Sequence, residues 1–143
     1  MATPSNIAAV QDYIEAYSGL AANAPVWVDF LGPNPTEYAI VPLPGRVIVE
    51  EYINGGSSRE FAFAFQSVES TADDLNRLAS SGFYEAFSEW LESQTEAGAF
   101  PTLASGRTPE KIEAVGQGFL FRQGESSTGV YQITCKLTYE QAP

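Results

Sequence analysis

Histidine is absent from this chain of 143 residues, and cysteine occurs only once. Without an imidazole, the chain lacks the usual base for a serine or cysteine nucleophile and the commonest transition-metal ligand. The single thiol, Cys135, excludes an intramolecular disulfide and a cysteine-based zinc site. It occupies an apolar position of a predicted strand, which favours packing over reactivity. We therefore expect no histidine-dependent catalysis, no cofactor and no metal, and we expect that the protein is not an enzyme.

Basic residues are also scarce, with 7 Lys+Arg against 18 Asp+Glu and a formal net charge of -11. They are scattered singly, so no basic stripe is present to bind a phosphate backbone. This excludes direct nucleic-acid specificity and disfavours anionic membranes, while basic protein surfaces become suitable partners. The sequence has no apolar run of the ~18 residues that a membrane span needs, and its N-terminus does not resemble a secretory signal. We expect synthesis in the cytoplasm.

Hydrophobic residues make up 44% of the chain, enough for one globular domain spanning residues 1–143. Apolar residues at helical spacing predict a helix from Asn6 to Tyr17, with Ser5 or Asn6 as its cap. The β-branched and aromatic residues from Val26 to Leu31 then predict a strand. Glycine and two prolines between Gly32 and Pro35 predict a turn.

Two long β-hairpins are predicted further along. The first joins Arg46–Ile53 to Glu60–Gln66 through the turn residues 54–58, and the second joins Lys111–Gln123 to Val130–Glu140 through residues 124–129. Between them, an apolar stripe from about Asp73 to Glu96 predicts two short helices or one helix kinked near Gly82. The sequence therefore predicts an α+β fold, with a mainly antiparallel sheet and both helical segments on one face.

Acidic and glycine motifs have structural explanations. Asp73 and Asp74 suit the first turn of a helix, and Glu50 and Glu51 point to opposite faces of a strand. The glutamates of the central helical segment recur at helical spacing opposite its apolar stripe, as on a solvated face; they are Glu85, Glu89, Glu92 and Glu96. The Gly116-Gln117-Gly118 motif lacks the third glycine of a nucleotide-binding loop, so a bulge or close backbone approach is expected.

Several local motifs together resemble a known family. They are the opening helix pattern from Ile7 to Ile14, Val26 to Gly32, Tyr38 to Pro42, Tyr52 to Phe63, Phe83 to Leu91, Gly106 to Pro109 and Tyr131 to Cys135. These motifs and their order are similar to those of small tail-module proteins of tailed phages and prophages of Gram-positive bacteria, of the tail-terminator or minor-capsid type. Some such proteins are named chloramphenicol resistance proteins, a function that fits poorly because the familiar acetyltransferases require a catalytic histidine.

The resemblance implies an α+β subunit that forms a ring, expected to be a hexamer, capping the tail tube and meeting the head connector. Its partners would be copies of itself and neighbouring virion proteins, and its final location the virion tail. Projecting hairpins and the Gly98 to Pro109 loop are suited to such contacts. The candidate contact residues are Tyr52, Asn54, Gly55, Gly56, Ser57, Ser58, Arg59, Gly106, Arg107, Glu125, Ser126 and Ser127.

Two other functions remain open from the sequence. One is a cytoplasmic ligand-binding or regulatory module with an aromatic-lined pocket between helices and sheet. The other is a carboxylate-based enzyme, which would need two acids converging in a cleft with one pKa raised. A deep enclosed pocket would favour the first of these alternatives.

Overall fold

The structure is a computed structural model that describes residues 5–20, 24–29, 31, 37–71, 73–123 and 127–143. It contains two helices and a seven-stranded sheet, which confirms the predicted α+β class. The predicted turn from Gly32 to Pro35 lies outside the described residues. In chain order the elements are α1 (Asn6–Glu15), β1 (Val26–Val28), β2 (Glu37–Pro42), β3 (Ile48–Glu51), β4 (Ser57–Ser70), α2 (Asp74–Ala97), β5 (Arg107–Ala114), β6 (Phe119–Gln123) and β7 (Thr128–Gln141).

Helix α1 begins as its sequence predicts. The Ser5 side chain accepts a hydrogen bond from the Ala8 amide at 3.2 Å, which satisfies one of the free donors of the first turn. Val10 and Ile14 are fully buried against the sheet. The helix ends at Glu15, two residues before the predicted end.

The central strands are ordered β1-β2-β4-β7-β5, with β3 beside β4 and β6 beside β7. Five of the pairings are antiparallel, and β1 pairs with β2 in parallel. The sheet is thus mainly antiparallel, as predicted. Strand β1 stops at Val28 instead of Leu31, and the next residue, Asp29, has a φ of 57°, which is left-handed backbone.

The long pairing of β4 with β7 forms the middle of the sheet. It runs from Ser57 opposite Gln141 to Ser70 opposite Thr128. Alternate residues of both strands face the helices and form the core, among them Phe63, Phe65, Ile133, Cys135 and Leu137. On the other face, Gln66 donates a side-chain hydrogen bond to Gln132 at 2.8 Å, so this face is polar.

Helix α2 covers the same face as α1 and packs aromatic rings on β4. The Phe87 ring stacks on Phe65 with centroids 4.6 Å apart, and the buried Tyr84 hydroxyl lies 2.6 Å from the Ser67 hydroxyl. Cys135 is fully buried, which confirms its expected place in the core, and this burial raises the pKa of its thiol far above the usual range. Of the two alternatives, two separate helices are wrong, because α2 continues through Gly82.

The second predicted hairpin differs from the observed structure. The segment Lys111–Gln123 is two strands, β5 and β6, which pair one after the other with β7 and are separated by residues 115–118. Gly118 lies against Tyr84, where an added Cβ would be only 2.3 Å from the Tyr84 Cβ. This confirms the predicted close backbone approach.

Candidate interaction surfaces

The first candidate surface is at the end of the sheet where β3 turns into β4. We call it the tip surface and define it by Tyr52, Asn54, Gly56, Gly106 and the chain end 140–143. These residues line a shallow cavity of about 330 Å³. The β4/β7 ladder causes this convergence, because it places Gln141 opposite Ser57. Several predicted contact residues from two separate loops therefore form one surface.

Two carboxyl groups and a phenol meet at the tip surface. Tyr52 donates a hydrogen bond to Glu140 at 2.9 Å, and this bond raises the pKa of Tyr52. The hydrogen bond between Glu110 and Glu140 raises the pKa of Glu110. Glu110 reaches this position because it bulges out of β5 between Pro109 and Lys111. At neutral pH this surface is acidic.

Other predicted contact residues at this end make bonds within the chain. Ser57 is buried and accepts a hydrogen bond from Arg59 at 2.9 Å. Arg107 donates to Gln141 at 3.0 Å and to Asn6 at 2.9 Å, which ties α1 to the end of β7. Gly55 and Ser58 lie in the same hairpin, Gly55 at its turn with a φ of 95°. Arg107 thus supports the tip surface from within.

The second predicted tip lies far from the first. Ser127, with a φ of 61°, accepts a hydrogen bond from the Thr71 amide at the other end of the β4/β7 ladder. At about 3.4 Å per residue, the ladder separates the two ends by about 45 Å. Glu125 and Ser126 lie outside the described residues. The candidate residues therefore form at least two separate groups.

The second surface was not predicted, and it is the outer edge of β6. Phe119, Leu120 and Phe121 are exposed, Phe119 by 48% and Phe121 by 50%, and Val115 lies exposed just before them. The rings of Phe119 and Phe121 are 6.3 Å apart. We call residues Phe119–Arg122 the β6 edge. The sequence feature that could have indicated this surface is the run of three apolar residues, because a strand with one buried face cannot bury three consecutive side chains.

The other outer strands have their edges capped by side chains. Gln11 of α1 donates to the Val26 carbonyl of β1 at 2.9 Å, and Arg46 donates to the Ile48 and Val49 carbonyls of β3 at 2.8 and 3.0 Å. Thr95 of α2 bonds both the amide and the carbonyl of Ile112 in β5. Within the described part of the chain, no side chain caps the backbone of the β6 edge.

A groove runs between α2 and the strands β5 and β6. It consists of two cavities of about 410 and 290 Å³ that share Ser88. Five glutamates line it, and we call it the acidic groove; they are Glu85, Glu89, Glu92, Glu96 and Glu113. Among the described residues that line it, the only cation is Lys111, whose Nζ is 3.4 Å from a Glu113 carboxylate oxygen. The predicted solvated glutamate face of α2 thus borders the β5/β6 side of the sheet.

This geometry gives little support to the two alternative functions, a ligand-binding module and a carboxylate-based enzyme. Aromatic rings fill the space between the helices and the sheet, where Phe65, Phe83 and Phe87 contact one another or Tyr38 directly. Glu110 and Glu140 do interact, and this raises the pKa of Glu110, but the cavity that Glu140 lines is shallow and is not the cleft that such an enzyme would need. Among the described residues no cluster of three potential metal ligands occurs.

Neither helix, over the residues described, combines the length and apolar character required to cross a bilayer.

The sequence was then compared with known proteins. No family model matches it. No curated protein matches it either.

Proposed function

We propose that this chain is a structural subunit of phage or prophage tail-terminator type. It assembles into a ring with copies of itself, joins the tail tube to the head connector, and performs no catalysis. It is made in the cytoplasm and ends in the virion tail. The family resemblance of its motifs motivates this proposal, and its α+β architecture is compatible with it.

The β6 edge is the observation that carries the proposal. Phe119, Leu120 and Phe121 are three consecutive exposed apolar residues, and among the described residues no side chain caps their backbone, so they form a surface that another chain can cover. A subunit that joins different components also needs more than one contact surface. The tip surface and the β6 edge are two such surfaces, with different chemistry. We assign the tip surface to copies of the same chain and the β6 edge to a neighbouring virion protein.

Light scattering with negative-stain imaging tests the ring. We expect a mass near 92 kDa, six times the subunit mass of 15.4 kDa, and ring-shaped particles. Replacing Ile53, which is 109% exposed beside the tip surface, by aspartate should reduce the mass to that of a monomer. The control Val47→Asp alters an exposed apolar residue outside the tip surface and should leave the ring intact.

Purified tails that lack their terminal ring provide a second test, because some ring subunits assemble only on the tail. The wild-type chain should bind to one end of these tails. A chain that stays monomeric at high concentration and also fails to bind tails would contradict the proposal.

A further inference from the structure

We propose that the β6 edge binds an extended segment of a different protein, in which apolar and basic residues alternate. The segment adds to the seven-stranded sheet as a further strand. This deepens the proposed function, on which it rests, by naming the chemistry of the neighbouring partner.

The backbone provides the first part of the argument. An outer strand presents a row of amides and carbonyls that can pair with another strand. In β1, β3 and β5 this row is interrupted by Gln11, Arg46 and Thr95. Within the described residues, the β6 edge has no such cap, so it is the outer strand best able to accept a strand.

The side chains of β6 provide the second part. Phe119 lies opposite Gln132, on the polar face of the sheet, and its ring centroid is 6.3 Å from that of Phe121, the extra residue where the β6/β7 register shifts between Leu120 and Arg122. Arg122 lies opposite Val130, on the same face as Phe119. Leu120 lies opposite Tyr131, on the face that carries the helices. An incoming strand would place alternate residues on these two faces. Those next to Phe119 and Phe121 should be apolar.

The acidic groove provides the third part. It opens on the helical face beside residues 116–118, which lead directly into β6, and Glu85 and Glu89 line it there. The residues of the incoming strand that point to this face would lie on the same side of the sheet as these two carboxylates. Lysine or arginine would complement them, and the net charge of -11 adds long-range attraction for a basic segment.

The same charges argue against a second copy as the occupant. Two copies pairing antiparallel through β6, about a two-fold axis perpendicular to the sheet, would keep both α2 helices on the same face. Their glutamate rows would then lie on either side of the junction and repel each other. Like charges that face one another across paired strands are destabilising.

The test is the binding of a short capped peptide that alternates lysine with isoleucine, measured by calorimetry with the full-length chain. We expect saturable binding that weakens as salt is added. Two control peptides separate the contribution of charge from that of backbone pairing. One replaces lysine with glutamate, and the other carries N-methyl groups on the amides of one edge, which blocks strand pairing without changing charge. Neither control should bind.

Two protein variants locate the site. The double substitution Glu85→Gln and Glu89→Gln should weaken binding about fivefold. The matched control Glu50→Gln and Glu51→Gln removes the same charge from β3, whose edge Arg46 caps, and should leave the dissociation constant unchanged. Phe121→Ser should weaken binding while lowering the melting temperature only slightly, because half of the residue is exposed.

Three results would overturn the inference: no binding of the lysine peptide, equal binding of the N-methylated peptide, or a wild-type dimer that Phe121→Ser dissociates. Each is distinguishable from failure of the proposed function, which is measured by ring formation and tail binding. Rings without peptide binding would reject the partner chemistry alone.

Discussion

At the scale of single residues, Gly118 shows how one position shapes the edge of the sheet. Strands β5 and β6 pair with β7 one after the other. In the segment between them, the backbone at Gly118 lies so close to Tyr84 that any side chain at this position would collide with it. The position therefore requires glycine for space and not for an unusual backbone angle.

The substitution Gly118→Ala should destabilise the protein by about 1 to 3 kcal/mol, because either the backbone or Tyr84 must move. Urea unfolding followed by tryptophan fluorescence measures this loss. The matched control is Gly116→Ala, since an added Cβ at Gly116 meets no atom within 4 Å. Equal unfolding midpoints for the two variants would contradict the proposed collision.

Glu110 is expected to make stability depend on pH. Its pKa is raised in the folded state, so the folded protein holds this proton more tightly than the unfolded chain does. The resulting stabilisation is present at low pH and is lost as the pH rises above the ordinary glutamate value of 4.5. Glu110→Gln keeps a donor toward Glu140 at every pH.

This variant should therefore have a slightly higher melting temperature than the wild type at pH 7, by about 1 to 2 °C, and an equal one near pH 4. Glu51→Gln, an exposed glutamate of β3 outside the acidic groove, provides the control. If the melting temperature of the wild type rose with pH relative to that of Glu110→Gln, the predicted pH dependence would have the wrong direction.

At the scale of elements, α2 closes one edge of the sheet. The Thr95 hydroxyl accepts from the Ile112 amide at 3.1 Å and donates to its carbonyl at 2.7 Å, so one side chain satisfies both outward groups of that residue. The helix thus has two functions: its aromatic residues form the core, and Thr95 protects β5 from pairing with another chain.

Thr95→Val should cost about 1 to 3 kcal/mol, since both backbone groups of Ile112 lose their partner. Thr95→Ser keeps the hydroxyl and has a similar helix propensity, so it should lose less than Thr95→Val. Chemical denaturation compares the two. If valine is tolerated as well as serine, the bond does not contribute to stability.

Gly82 lies within α2, where an added Cβ meets nothing within 4 Å. Gly82→Ala should raise the unfolding free energy by about 0.5 to 1 kcal/mol, because alanine loses less backbone entropy in a helix. Gly98→Ala is the contrasting control, since Gly98 follows the helix with a φ of 69° and alanine there should destabilise. Thermal melts of both variants check these opposite signs.

Local patterns predicted most of the elements, because capping, helical spacing and turn residues act over a few neighbours. The β3/β4 hairpin around Asn54 and the start of α1 after Ser5 are examples. The exposed β6 edge was not predicted, since alternation cannot show which strand of a sheet is outermost. The convergence at the tip surface depends on the β4/β7 register, which no local pattern encodes.

At the scale of the whole molecule, the charge balance dominates. With a net charge of -11, the folded chain repels itself, and five glutamates in the acidic groove concentrate this repulsion beside α2. The same field that suits a basic partner therefore lowers the stability of the isolated subunit. A bound partner would relieve this cost.

Sodium chloride should accordingly raise the melting temperature by a few degrees between about 0.02 and about 0.5 M, as screening weakens the repulsion. A variant with Glu85, Glu89, Glu92 and Glu96 all changed to glutamine should melt higher at low salt and respond less. Differential scanning calorimetry measures both. A melting temperature that falls with salt would show that attractive ion pairs outweigh the repulsion.

The β4/β7 ladder also determines when the protein can fold. Its pairs join residues far apart in the chain: Ser70 and Thr128 are 58 positions apart, and Ser57 and Gln141 are 84 apart. Such distant contacts make folding slow compared with a helical bundle. During synthesis, β4 cannot pair with β7 until β7 has left the ribosome. Until then, Phe63 and Phe65 of β4 lack β7 as a neighbour. The β4/β7 pairing at the centre of the sheet therefore cannot form until β7 has been synthesised.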